Sequence, residues 1–139
     1  MIAETIIKET VEMLIDLNIF KTIERKIPDY DNIKNIPAVN MPIACVNSFV
    51  PLPIYENIRQ AQNKTVLEID INVYALDNET PDSRISEFIF EIWKGFNAYK
   101  YSPPTLERRL IDGDKSIMPP FTLLNLKLEF QYTSTKLTI

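Results

Sequence analysis

Histidine is absent from the 139 residues. Its absence removes Ser-His-Asp and Cys-His catalysis and every His-containing metal site. One cysteine, Cys45, allows neither an intrachain disulfide nor a thiolate cluster for zinc or iron–sulfur. There are only two glycines, Gly95 and Gly113, so neither a Walker-type phosphate loop nor a dinucleotide fingerprint can be built. No run of eighteen apolar residues occurs, and no segment reads as a membrane-spanning helix. Positive charge is also short. Fifteen Lys and Arg face nineteen Asp and Glu, a net charge of -4, with a pI near 4.9. Holding nucleic acid by its phosphates needs a basic face, and this balance speaks against one. A surface past which DNA slides is not excluded. Near the N-terminus Glu4, Glu9, Glu12 and Asp16 fit neither a signal nor a transit peptide. Folding in a cytoplasm is the expectation.

What is present suits one globular domain over residues 1–139, with 45% hydrophobic and 24% charged residues. A chain of this length buries roughly two-thirds of the surface exposed when unfolded. The first helix is expected over residues 2–17, where Ile7, Val11 and Leu14 form one stripe with Ile6, Met13 and Leu17 beside them. Residues 19–27 read as a first strand, stopped by Pro28-Asp29, with a polar loop over 29–36. A second extended segment runs over 37–46. Pro42 cannot donate to a ladder and marks it as an edge or bulged strand. No period holds over 47–64, where Pro51 and Pro53 stand among Phe49, Leu52, Ile54 and Tyr55.

Residues 66–76 give the clearest strand. Leu67, Ile69, Ile71, Val73 and Ala75 alternate with Glu68, Asp70, Asn72 and Tyr74, the mark of a sheet covered on one side. After a turn at Asp77-Asn78-Glu79, Thr80 is placed to cap a helix with Pro81 in its first position. That helix runs to about Tyr99. Its apolar face is expected to be Ile85, Phe88, Ile89, Ile92, Trp93 and Phe96, with Trp93 in the core. Pro103-Pro104 bars extension. A strand over 105–111, a turn at Asp112-Gly113-Asp114 and a last strand over 121–132 follow, with 133–139 as a short tail. This order predicts an α+β fold: a mostly antiparallel sheet of four to five strands, both amphipathic helices on one face, and a polar opposite face.

Acidic pairs are the only groupings that suggest chemistry. Glu68 and Asp70 share one face of a strand, about 7 Å apart by strand rise. They suit either a hydrolase or two-metal nuclease, or a solvated face neutralised by Lys127 on a neighbouring strand. Asp112 and Asp114 flank Gly113 without the rest of a calcium loop. Asp77, Glu79 and Asp82 gather where a helix dipole favours anions. The letters of a Pro-Asp…Glu-x-Lys nuclease core occur in Glu24-Arg25-Lys26 and Pro28-Asp29, in the wrong order and too close to converge from separate strands. Cys45 reads as a small buried apolar residue, with a reactive thiol as the alternative. Arg108 and Arg109 suit a phosphate or a salt bridge to a neighbouring subunit. No side chain here supplies a base near neutral pH without special burial, so no hydrolytic activity and no cofactor are expected.

The pattern as a whole resembles the tail-terminator (tail-completion) proteins of tailed bacteriophages. It is carried by the N-terminal amphipathic helix, Ile36-Pro37-Ala38-Val39 entering a strand, the strand Leu67-Glu68-Ile69-Asp70-Ile71-Asn72-Val73-Tyr74, the helix over 85–96 and the closing strand over 124–132. It spans residues 2–132 and rests on element order; the segment 47–64 has no counterpart in it. The resemblance implies a structural protein of the virion tail, assembled in the host cytoplasm. It would form a homo-oligomeric ring, a hexamer in the family, that docks on the tail tube protein, ends its polymerisation and meets a head or neck connector protein. DNA would be only a passing cargo, with no membrane involved. A head-completion or neck connector, and a small acidic-site hydrolase or ligand-binding domain, are the alternatives. A ring interface needs apolar surface that the monomer core leaves free. Phe20, Phe49, Leu52, Ile54, Tyr55 and Phe121 are the candidates, with Arg108 and Arg109 beside them.

Overall fold

A computed structural model describes residues 2–25, 37–57, 62–76, 80–102, 106–118 and 121–135. Within these lie helix α1 (Ile2–Leu17), strand β1 (Thr22–Glu24), a short 3-10 turn (Ala38–Asn40), β2 (Ile43–Ser48), β3 (Leu52–Asn57), β4 (Gln62–Leu76), helix α2 (Pro81–Ala98), β5 (Glu107–Met118) and β6 (Phe121–Thr135). The fold is α+β, with two helices and a mostly antiparallel sheet. The sheet has six strands among the described residues, more than the four to five expected. Its order is β1-β2-β4-β6-β5, with β3 also paired to β4.

The core follows the period-two pattern. Leu67, Ile69, Ile71 and Val73 of β4 stand opposite Phe130, Leu128, Leu126 and Leu124 of β6, so the four central cross-strand pairs on this face are apolar, with Thr65–Tyr132 and Ala75–Thr122 at its two ends. Both helices lie on that face: Ile6, Ile7, Met13 and Leu14 of α1 and Ile85, Phe88, Ile92 and Phe96 of α2 are buried against it. Asn18, with φ 55°, ends α1 in the left-handed conformation that asparagine tolerates. Thr80 takes the N-cap position of α2, followed by Pro81, but its hydroxyl makes no capping bond.

Trp93 is half-exposed rather than buried. Gly95 explains this. Its bare backbone is met by Leu17 and Met13 of α1, which turns the buried arc of α2 toward α1. Trp93 lies two residues away, ~200° around the helix, on the opposite flank.

Strand boundaries also differ from the sequence reading, and β4 begins at Gln62 rather than at residue 66. β1 keeps only three residues and pairs parallel to β2; Lys26, Ile27 and the Pro28-Asp29 stop lie outside the described residues. β2 is an interior strand between β1 and β4, because Pro42 precedes it and sits outside the ladder; residues 38–40 form the 3-10 turn instead of strand. β5 runs straight through Asp112-Gly113-Asp114, absorbing the irregularity as a register shift between Leu110 and Asp112. The last strand reaches Thr135, leaving 136–139 outside the described residues, with Asp77, Asn78 and Glu79, Pro103-Pro104 and Pro119-Pro120.

The opposite sheet face is only partly polar. Met41, Ile43, Cys45, Tyr74 and Leu123 form a second buried apolar cluster there, with Phe121 packed against it. Beyond it the face turns polar, beginning with a hydrogen bond from Asn125 to Asn72 of 2.8 Å.

Candidate interaction surface

The segment that shows no period proves to be a strand interrupted twice. β2 pairs antiparallel with residues 69–74 of β4, and β3 continues in the same direction along residues 62–66. The two are one path along β4, broken at Phe49-Val50-Pro51, with a further register shift between Pro53 and Tyr55. Proline explains why the ladder breaks where it does, since neither Pro51 nor Pro53 can donate to it. The Phe49 amide still bonds the Glu68 carbonyl at 3.0 Å, which pins the start of the break.

The break pushes apolar side chains outward. Phe49 is 45% exposed, Val50 77% and Leu52 62%. Lys127 Nζ lies 5.5 Å from the centre of the Phe49 ring, a cation–π contact that holds the ring over the sheet. Between this link and the start of α1 lies a groove of about 250 Å³, with Ala3, Ile7, Phe49, Val50, Pro51 and Leu67 among its walls. Of the residues proposed from sequence for this surface, Phe49 and Leu52 therefore stand free of the core. Val50, the most exposed of the segment, escaped notice because valine fits equally well inside. The side chains of Ile54 and Tyr55 lie outside the described residues.

The remaining candidates are used within the chain. Phe20 stacks on Phe88 with ring centres 5.6 Å apart. Phe121 packs on the second apolar cluster. Arg108 donates to the Tyr99 and Asn97 carbonyls at 2.6 and 2.9 Å and lies over the Tyr101 ring. It closes the C-terminal end of α2, where a cation is favoured by the helix dipole. Arg109 donates from Nε to Glu129 Oε1 at 3.0 Å. Hydrogen bonds from Gln131 and Arg109 hold the Glu129 carboxyl below its ordinary value, against the opposing effect of burial. The shallow cavity of about 270 Å³ that these residues line with Glu107 is thus walled by charges already paired within the chain.

The acidic pair sits on the face away from the helices. Lys127 lies beside it: its Nζ is 4.0 Å from Glu68 Oε2, and its backbone is in register with Asp70. Oδ1 of Asp70 is enclosed and accepts no hydrogen bond. Desolvation raises the Asp70 carboxyl above its ordinary value, Lys127 opposes this, and Glu68 adds to it. Asp112 and Asp114 each accept the next backbone N–H, from Gly113 and Lys115, and Asp82 is paired with Lys115. Among the described residues no group of three or more His, Cys, Asp or Glu could hold a metal ion. Arg25, from the nuclease-like letters, pairs with Glu4 at 3.5 Å, and Cys45 is fully buried.

A second exposed apolar surface was not legible in the sequence. Phe90 and Trp93, 54% and 50% exposed, lie one turn apart on the flank of α2 away from α1. Lys94 lies beside them, its Nζ 5.4 Å from the centre of the Phe90 ring. No protein-family model and no curated protein matches the chain.

Proposed function

We propose that this chain is a structural virion protein of the tail-terminator type, a ring that caps the tail tube, ends its growth and joins it to the head or neck. The observation that carries the reading is the apolar link Phe49-Val50-Pro51-Leu52, held outward by a broken strand in a small acidic chain. A cluster of exposed apolar groups on a small domain marks an interaction surface. The reading rests on the resemblance drawn from the sequence, and the acidic balance suits a lumen that passes DNA without gripping it.

The acidic pair favours a structural role over a hydrolytic one. Glu68 is paired with Lys127 and Asp70 is in register with it on the sheet face away from the helices, and among the described residues no third acidic group joins them to hold a metal ion. The deciding experiment is electron microscopy of tails assembled with and without the protein. Capped tails of fixed length with it, and overgrown tubes without it, are expected. Tubes of normal length in its absence, with heads left unsealed, would move the protein to a neck or head-completion role.

A further inference from the structure

We propose that the Phe49 ring and the Lys127 side chain form a lid over Asp70, so that ionisation of Asp70 sets whether the β2–β3 link lies on the sheet or lifts from it. The lid involves this chain alone and stands apart from any role in a tail. Phe49 continues the line of β2. Its amide bonds the Glu68 carbonyl, the next step after the pairs Asn47–Asp70 and Ser48–Ile69. Facing residues of paired strands share a side of the sheet, so Phe49 stands with Glu68 and Asp70, away from the helices. Lys127 stands on that side too, on β6 opposite Asp70. β4 runs between β2 and β6, and two strand spacings separate their backbones by about 10 Å. The Phe49 ring centre and Lys127 Nζ nevertheless lie 5.5 Å apart. They meet by arching over β4, at the rows that carry Glu68 and Asp70, and the same ammonium is 4.0 Å from Glu68 Oε2. This roof accounts for an enclosed Asp70 Oδ1 that accepts no hydrogen bond, on a sheet face that no helix covers.

The other groups around Asp70 are uncharged or engaged elsewhere. On β2, Asn47 is its register partner, with the buried Cys45 beyond. On β4, Asn72 accepts from Asn125 of β6. Glu68 faces Glu129 of β6, whose carboxyl accepts from Arg109 of β5 and from Gln131. Asp112 of β5, in register with Lys127, accepts the Gly113 amide. Asp70 is thus left with Lys127 as counter-charge and Glu68 as like charge, beneath an apolar ring. Such a cover penalises an ionised carboxylate far more than a protonated one. The Asp70 carboxyl is accordingly raised above its ordinary value, by desolvation first. The lid-down state therefore holds the Asp70 proton more tightly than a state in which that carboxyl meets water. Acid keeps the link down, and rising pH favours its lifting.

The test uses the purified full chain, with two readouts that a merely structural Asp70 would not couple. The first is a carbon-13 NMR titration of the side-chain carboxyls from acid to neutral pH, with the Asp70 signal assigned by its loss in Asp70→Asn. Its midpoint should lie above the ordinary carboxylate value. Phe49→Ala, at a half-exposed position, should lower that midpoint by at least about 0.5 in pH, a roughly threefold change in proton affinity. The second readout is hydrogen exchange at the Phe49 amide, expressed as protection relative to a free peptide so that the intrinsic pH dependence drops out. Protection should fall at least about threefold as pH rises through the Asp70 midpoint, the same free energy read from the other side of the linkage. In Asp70→Asn it should stay level across the same range. This readout leaves Phe49 in place, so it decides the matter even if Phe49→Ala does not fold. An Asp70 midpoint unmoved by Phe49→Ala would show that the ring does not cover the carboxyl and overturn the lid. So would a Phe49 protection that shows no step in the parent, or the same step in Asp70→Asn.

Discussion

Trp93 and Phe96 are three residues apart on α2 and have opposite fates. Phe96 is buried, with edge-on contacts to Tyr101 and Phe130 at ring centre distances of 6.0 and 5.6 Å. Phe96→Ala should cost ~3–5 kcal/mol, as for other emptied aromatic core sites. Trp93→Ala should change stability by less than about 1 kcal/mol, because half of the ring is already in water. Thermal unfolding of the two variants checks the contrast, and equal losses would restore Trp93 to the core. Asp70 gives a prediction in pH. Its carboxyl is raised in the folded chain by desolvation. Its contribution is therefore fully present below the unfolded value of 3.8 and is lost as pH rises through the higher folded value. Asp70→Asn should gain thermal stability over the parent as pH is raised from acid to neutral, with the gap closing in acid. A gap independent of pH would mean that Asp70 is well solvated.

At the scale of elements, what was legible depended on whether one force set the pattern. The alternation over Leu67 to Ala75 reflects burial on one face alone, and β4 and β6 appear where the period places them. The helices likewise follow their apolar stripes. β3 was hidden because Pro51 and Pro53 speak for a loop, while pairing to β4 outweighs them. β5 was cut short because Asp-Gly-Asp carries turn signals that a bulged strand beside β6 also accommodates. The close packing of α2 on α1 depends on Gly95 meeting Leu17, a tertiary contact with no local signature. Gly95→Leu should push the helices apart and lower stability by about 1–3 kcal/mol, the usual cost of overpacking. Arg108→Met should cost ~1.5–3 kcal/mol by leaving the Tyr99 and Asn97 carbonyls without their charged donor. Thermal melts of both variants test whether the α2 anchors hold as described. Parent-like melting of Arg108→Met would show that water replaces the guanidinium at no cost.

For the molecule as a whole, the long β4–β6 pairing has a consequence for its motions. β4 exchanges hydrogen bonds with β6 along its full length and with β2 and β3 along its other side. Its amides are therefore shielded on both sides, and their release into deuterated water requires the whole sheet to open. β3 pairs only with β4 among the described residues, so its outward amides exchange through local fraying. Within one sheet, hydrogen exchange should thus divide into a slow central strand and a fast neighbour carrying the exposed link. The hardest part of the protein to open lies directly behind the exposed link that the proposed function uses as its contact. A contact made there would load a mobile border against a rigid spine, and it should be read out as slowed exchange in β3 with β4 unchanged.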